Sequence, residues 1–118
     1  MNTATELDAT LSWTAVCAAD EILVNTGVAA RVQGRHVAVF RVGAADFHAI
    51  DNVDPKSGAS VLSRGLVGSL GGRLVVASPL YKNHFDLNTG ECLELPDCAV
   101  RVHAVRVDGA QVMVALSD

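Results

Sequence analysis

Apolar and polar residues alternate along much of this chain, in short runs separated by glycine. Residues 36–42 set the pattern: His36, Ala38, Phe40 and Val42 fall on one face, and Val37, Val39 and Arg41 on the other. A period of two is that of a β-strand with at least one packed face. The same reading predicts strands over 13–16, 28–33, 47–51, 66–70, 73–77, 84–87, 101–107 and 110–116. Gly34 links 28–33 to 36–42 as a hairpin, and Gly71-Gly72 supplies the positive φ angles of a tight turn between 66–70 and 73–77. Asp108-Gly109 is the strongest hairpin signal. Residues 18–21 suit one helical turn; nowhere else does apolar spacing of three and four persist over two turns. The expected fold is all-β, with nine or ten short antiparallel strands in a sandwich or barrel-like stack.

Composition narrows the classes. The 118 residues fit a single domain over 11–117, with 1–10 as a flexible arm. Half the residues are apolar and 19% are charged, enough for a core and unlike a disordered chain. A net charge of -4 with nine Lys and Arg and no basic run argues against nucleic acid as a partner. No apolar stretch reaches the roughly 18–20 residues of a membrane span. The start, Met1 to Asp8, lacks the basic and apolar regions of a secretory signal, so the expected location is cytoplasmic. Cys17, Cys92 and Cys98 form no CxxC pair and read as reduced thiols. A zinc site from Cys92, Cys98 and His103 is the alternative, short of a fourth ligand.

Two irregular stretches, 53–64 and 78–83, flank the Gly71-Gly72 hairpin. One reads Asn52-Val53-Asp54-Pro55-Lys56-Ser57-Gly58-Ala59 and the other Ser78-Pro79-Leu80-Tyr81-Lys82-Asn83. Lys56, Arg64, Lys82, Asn83 and His84 gather at or near them, either as a docking tip or as ordinary solvated polar surface. Tyr81, one of five aromatics, is an interface anchor or a loop-packing residue. His84, beside Phe85, reads as a hydrogen-bonded structural histidine. Trp13 and Phe40 read as core. Asp51 and Asp54 read as turn formers with no partner spaced for a triad. His36, His48 and His103 alternate with apolar residues, as on a half-exposed strand face.

The order of loops and hairpins resembles the Rieske fold. There, two hairpin loops project from a β base, and His84-Phe85-Asp86-Leu87-Asn88-Thr89-Gly90 is similar to the stretch that follows the second ligand pair. A Rieske centre holds one iron with two Cys thiolates and the other with two His imidazoles. The four corresponding places here hold Asp54, Lys56, Ser78 and Tyr81. The strings Ala49-Ile50-Asp51-Asn52, Val61-Leu62-Ser63-Arg64-Gly65-Leu66-Val67-Gly68 and Val76-Ala77-Ser78-Pro79-Leu80-Tyr81-Lys82 resemble the small subunit of assimilatory NAD(P)H-dependent nitrite reductase. That resemblance implies a Rieske-like fold with no cofactor in this chain and no catalytic residue of its own. It implies a large-subunit partner that carries FAD, an iron–sulfur cluster and sirohaem and reduces nitrite to ammonium. The implied role is accessory: assembly, stabilisation or modulation. A Rieske-type ferredoxin with unusual cluster ligation, or a stand-alone interaction module on the same fold, are the alternatives. Without a metal to tie the loops, their polar groups and Pro55 and Pro79 are expected to replace it.

Overall fold

The computed structural model describes residues 11–117; the arm expected at 1–10 lies outside them. Valine-rich segments pair wherever a glycine or Asx turn lets the chain reverse. Among the described residues nine strands result: β1 (Thr14–Ala18), β2 (Thr26–Val32), β3 (Arg35–Val42), β4 (Asp46–Asp51), β5 (Leu66–Leu70), β6 (Arg73–Ala77), β7 (His84–Asp86), β8 (Val102–Asp108) and β9 (Gln111–Ala115). Each matches an expected strand to within about two residues. Short 3₁₀ turns occur at Ala19–Glu21, within the helical turn expected at 18–21, and also at Leu62–Arg64 and Pro96–Cys98, which carry no periodic signal long enough to read.

The strands form two antiparallel sheets. The larger has the order β1-β9-β8-β4-β3-β2, and the smaller β5-β6-β7. The edge strands β1 and β2 line a common cleft, so the six-stranded sheet curls nearly into a barrel. The sandwich-or-barrel expectation resolves to this barrel-like base with a small sheet beside it.

Strand β3 explains how the two parts join. Val37 and Val39 point into the barrel interior with Ile22, Val32, Ala49, Val112 and Val114. Ala38 and Phe40 point the other way, into a second core with Ile50, Leu62, Val76, Phe85 and Leu87. All four β3 residues are fully buried. The pattern promised at least one packed face; both are packed, because the small sheet covers the side that an isolated barrel would leave to water.

Three side chains depart from expectation. Trp13 is half-buried, with the Arg106 guanidinium 4.3 Å from its ring centroid, so it is a stacking platform rather than core. His103 is buried, not on a half-exposed face. Its Nε2 lies 2.8 Å from Asp51 Oδ1, and its Nδ1 accepts from the Ser117 N–H at 3.0 Å. That geometry places the ring proton on Nε2, donated to Asp51. Asp51 is therefore no turn former: at the end of β4 it also accepts from the Arg101 N–H at 3.2 Å and faces Arg35 at 3.5 Å. Because Nδ1 already accepts a main-chain N–H, this chain of Asp, His and Ser is a clamp on the C-terminal strand rather than a nucleophile–base pair. Among the described residues no helix is long and apolar enough to cross a membrane.

A second ionic cluster fastens β6 to the turn after β7. Arg73 Nε donates to Asp86 Oδ2 at 2.7 Å, and its Nη2 to Glu91 Oε1 at 2.5 Å. Burial pushes the Asp86 carboxyl up, but Arg73 and the N–H groups of Asn88 and Thr89 outweigh it and hold the carboxyl below its ordinary range. Glu94 is also lowered: desolvation opposes the shift, and the main-chain and side-chain hydrogen bonds from His84 prevail. A lowered folded-state value stabilises fully above the unfolded carboxylate range near pH ~4, and that stabilisation is lost as pH falls through the folded value. The melting temperature should therefore drop below about pH 4, and the gap between the wild type and Asp86→Asn should be widest near neutral pH and shrink as the pH falls below about 4. A gap constant across that range, measured by circular dichroism melts, would refute the assignment.

Candidate functional site

The two irregular stretches leave the molecule side by side, one between β4 and β5 and the other between β6 and β7. The first is built on Asn52, which is buried. Its carbonyl accepts from the N–H groups of Val61 and Leu62 at 3.1 Å each, and its Oδ1 accepts from the Ser63 N–H at 2.7 Å. This residue pins the loop's return to its departure; nothing in local sequence marks it, since its partners lie 9–11 positions on. Beyond it, Asp54 turns the chain. Asp54 Oδ1 accepts the Lys56 N–H at 2.8 Å, an Asx turn, and the Gly58 N–H donates to the Asp54 carbonyl at 2.7 Å. Pro55 favours this bend because its φ is preset.

The second loop closes on itself in the same way. The Ser78 N–H donates to the Asn83 carbonyl at 2.8 Å and the Lys82 N–H to the Ser78 carbonyl at 3.0 Å. Lys82 sits at φ 63, in the left-handed region.

The four residues that the resemblance puts at the ligand places meet in pairs across the loops. Ser78 Oγ donates to Asp54 Oδ2 at 2.5 Å, and both residues are fully buried. Lys56 Nζ lies 4.9 Å from the centroid of the Tyr81 ring. The first pair is a buried, charge-assisted hydrogen bond and the second an exposed cation–π contact. Polar groups of the two loops thus do meet across the gap, and Tyr81 takes part through its ring face.

The other candidates are placed as follows. Lys56, Arg64, Tyr81 and Lys82 are exposed, but Asn83 is buried and shapes the loop instead of offering a surface. His84 lies beyond the loops with Nδ1 2.6 Å from Glu94 Oε2, a hydrogen-bonded structural histidine. The zinc alternative fails: both His103 nitrogens are engaged, and among the described residues no three His, Cys, Asp or Glu side chains gather to hold a metal. The three cysteines are free thiols.

Comparison with known proteins fits this geometry. The Rieske-like [2Fe-2S] domain family matches residues 12–115. The nitrite reductase (NADH) small subunit of Salmonella typhimurium is 44% identical over 103 residues, covering 86% of this chain and 95% of that one. The chain belongs to the nitrite reductase small-subunit family. Its fold follows a solved relative closely: the NMR structure of Escherichia coli NirD superposes with a TM-score of 0.83 at 39% identity, covering 91% of this chain and 98% of the other. The Klebsiella oxytoca nitrite reductase [NAD(P)H] large subunit also matches, 42% identical over 102 residues; the match covers 86% of this small-subunit chain and 11% of that much longer one.

The family description raises the question of a [2Fe–2S] cluster between the loops. The donor set does not fit it. A cluster needs thiolate and imidazole; the small-subunit chain presents a carboxylate, an ammonium, an aliphatic hydroxyl and a phenol. Two of these four, Asp54 and Ser78, are already bonded to each other in the buried floor of the site. Cys17, Cys92 and Cys98 lie outside both loops.

Proposed function

We propose that this small subunit is a non-catalytic accessory chain of NAD(P)H-dependent nitrite reductase, working in the cytoplasm through a Rieske-like site that holds no cluster. The observation that carries the reading is the pairing of Asp54 with Ser78 where a cluster's ligands would stand. Polar groups that satisfy one another across two loops do the mechanical work of a metal staple and leave no soft donor for iron. The large subunit, bearing FAD, an iron–sulfur cluster and sirohaem, takes electrons from NAD(P)H and passes six of them to nitrite, giving ammonium. That a relative of this chain lies within the Klebsiella oxytoca large subunit supports this partnership, since a covalent link keeps two functional neighbours together. The accessory chain acts by contact, in assembly, stabilisation or modulation.

The test is direct. The purified chain should be colourless, with iron and acid-labile sulfide far below one cluster per chain. Added to the large subunit, it should co-purify and raise either the rate or the lifetime of nitrite-dependent NAD(P)H oxidation. Stoichiometric iron and sulfide, with a paramagnetic signal on reduction, would instead establish a Rieske-type ferredoxin of unusual ligation. Identical activity and stability of the large subunit with and without this chain would end the accessory reading.

A further inference from the structure

Charge is placed unevenly on this chain. The whole sequence sums to -4, yet the exposed charge of the two loops is positive. Lys56, Arg64 and Lys82 are all exposed, and among the described residues none of them has a carboxylate within ion-pair distance, whereas Arg35, Arg73 and Arg106 do. The one acidic side chain of the loops, Asp54, is buried against Ser78. Apolar surface lies among these cations: Leu66 is 79% exposed, Leu80 51% and Tyr81 50%. Arg64, Leu66, Pro79 and Lys82 share one cleft of about 210 Å³, with Ser78 in its wall. Exposed apolar residues ringed by polar groups mark interaction surfaces.

Lys82 adds an independent sign. Its φ of 63 is a conformation that glycine adopts without strain and that a long side chain adopts at a cost. Glycines do occupy the positive-φ positions of nearby turns, at Gly71, Gly72 and Gly90. A lysine kept in a strained backbone site, with its side chain on the cleft it shares with Arg64, points to a use for the ammonium outside folding.

We propose that this face docks onto a carboxylate-bearing, apolar-centred surface of the nitrite reductase large subunit. An Asp or Glu side chain of that partner enters the cleft between Arg64 and Lys82, and Leu66, Leu80 and Tyr81 pack around it and exclude water. Shielding by an apolar rim strengthens such a charge pair relative to one in open solvent. The partner's identity rests on the accessory-subunit reading; the chemistry of the face rests on the residues above.

The experiment measures binding of the full chain to the intact large subunit by biolayer interferometry, at about 50 and about 300 mM salt, where screening of exposed charge differs strongly. Wild-type affinity should fall as salt rises. Arg64→Glu combined with Lys82→Glu should weaken binding about tenfold or more at low salt. Lys82→Gly should weaken binding while raising the melting temperature, a split that a purely structural role for the lysine would not produce. Melts of each variant confirm folding; these side chains have no carboxylate partner to lose. Undiminished binding by the charge-reversed variant would overturn the docking face and leave the accessory role standing. Absence of wild-type binding at both salt concentrations would overturn the accessory role and this assignment with it. A wild-type chain that sediments as a dimer, and becomes a monomer on charge reversal, would assign the face to a second copy and overturn the large-subunit proposal.

Discussion

Gly90→Ala should destabilise the fold by about 2–5 kcal/mol, the sum of a left-handed backbone penalty and overpacking. Gly90 has φ +81, and a Cβ there would strike the Val100 carbonyl oxygen and lie 3.1 Å from its carbon and 3.2 Å from Val102 Cγ2. The obstacle is main chain, which cannot rotate aside. The Val100 N–H donates to the Gly90 carbonyl at 2.9 Å, and the Gly90 N–H to the Asp86 carbonyl at 2.7 Å, so the glycine is held from both sides. It is the point where the turn after β7 touches the segment that enters β8. Because a domain of this size has only about 5–15 kcal/mol in total, the variant should melt on the order of 10–20 °C lower or fail to accumulate. Gly109→Ala is the control. It has φ +61 with nothing within 4 Å of the added carbon, and should cost only about 1–2 kcal/mol. Equal melting temperatures for the two variants would show that the contact with Val100 carries no weight.

Asp54→Ala is the second large effect, expected at about 2–4 kcal/mol. The carboxylate is fully buried and accepts from Ser78 Oγ and from the Lys56 N–H. Truncation leaves the Ser78 hydroxyl without its partner in the interior and unlocks the turn at Pro55. Ser78→Ala should cost about 1–3 kcal/mol, because it strips a donor from a buried carboxylate. The decisive quantity is the coupling. The double variant should cost less than the sum of the single variants by about 1 kcal/mol or more, as expected for groups in direct contact. Strict additivity in urea titrations would mean that the two loops are held by something else. The Lys56–Tyr81 contact, being exposed, should contribute only about 0.5–1 kcal/mol.

The strands were legible because local chemistry decides them. Gly71-Gly72 and Asp108-Gly109 mark the turns that join β5 to β6 and β8 to β9, and valine-rich alternation marks the arms. The loops were legible as breaks. Partners across space were not legible. Asp54 and Ser78 are 24 positions apart, and Asp51 and His103 are 52 apart; no local pattern couples either pair. The burial of His103 was missed for the same reason, since alternation with valine is equally that of a half-exposed strand. Trp13 misled because a lone tryptophan suggests core, whereas here Arg106 uses its ring as a stacking surface. Asn83, polar and in a loop, looked like surface and is interior.

Strand β3, shared by two cores, has a mechanical consequence. Peeling the three-stranded sheet away would bare Ala38 and Phe40 on the very strand whose next residues seal the barrel, so neither part can loosen alone. Partial opening is thereby suppressed, and the amides of β3 should outlast all others in deuterated solvent. The loop pair is mounted on a stiff foundation, and a partner that grips it moves the whole molecule as one body.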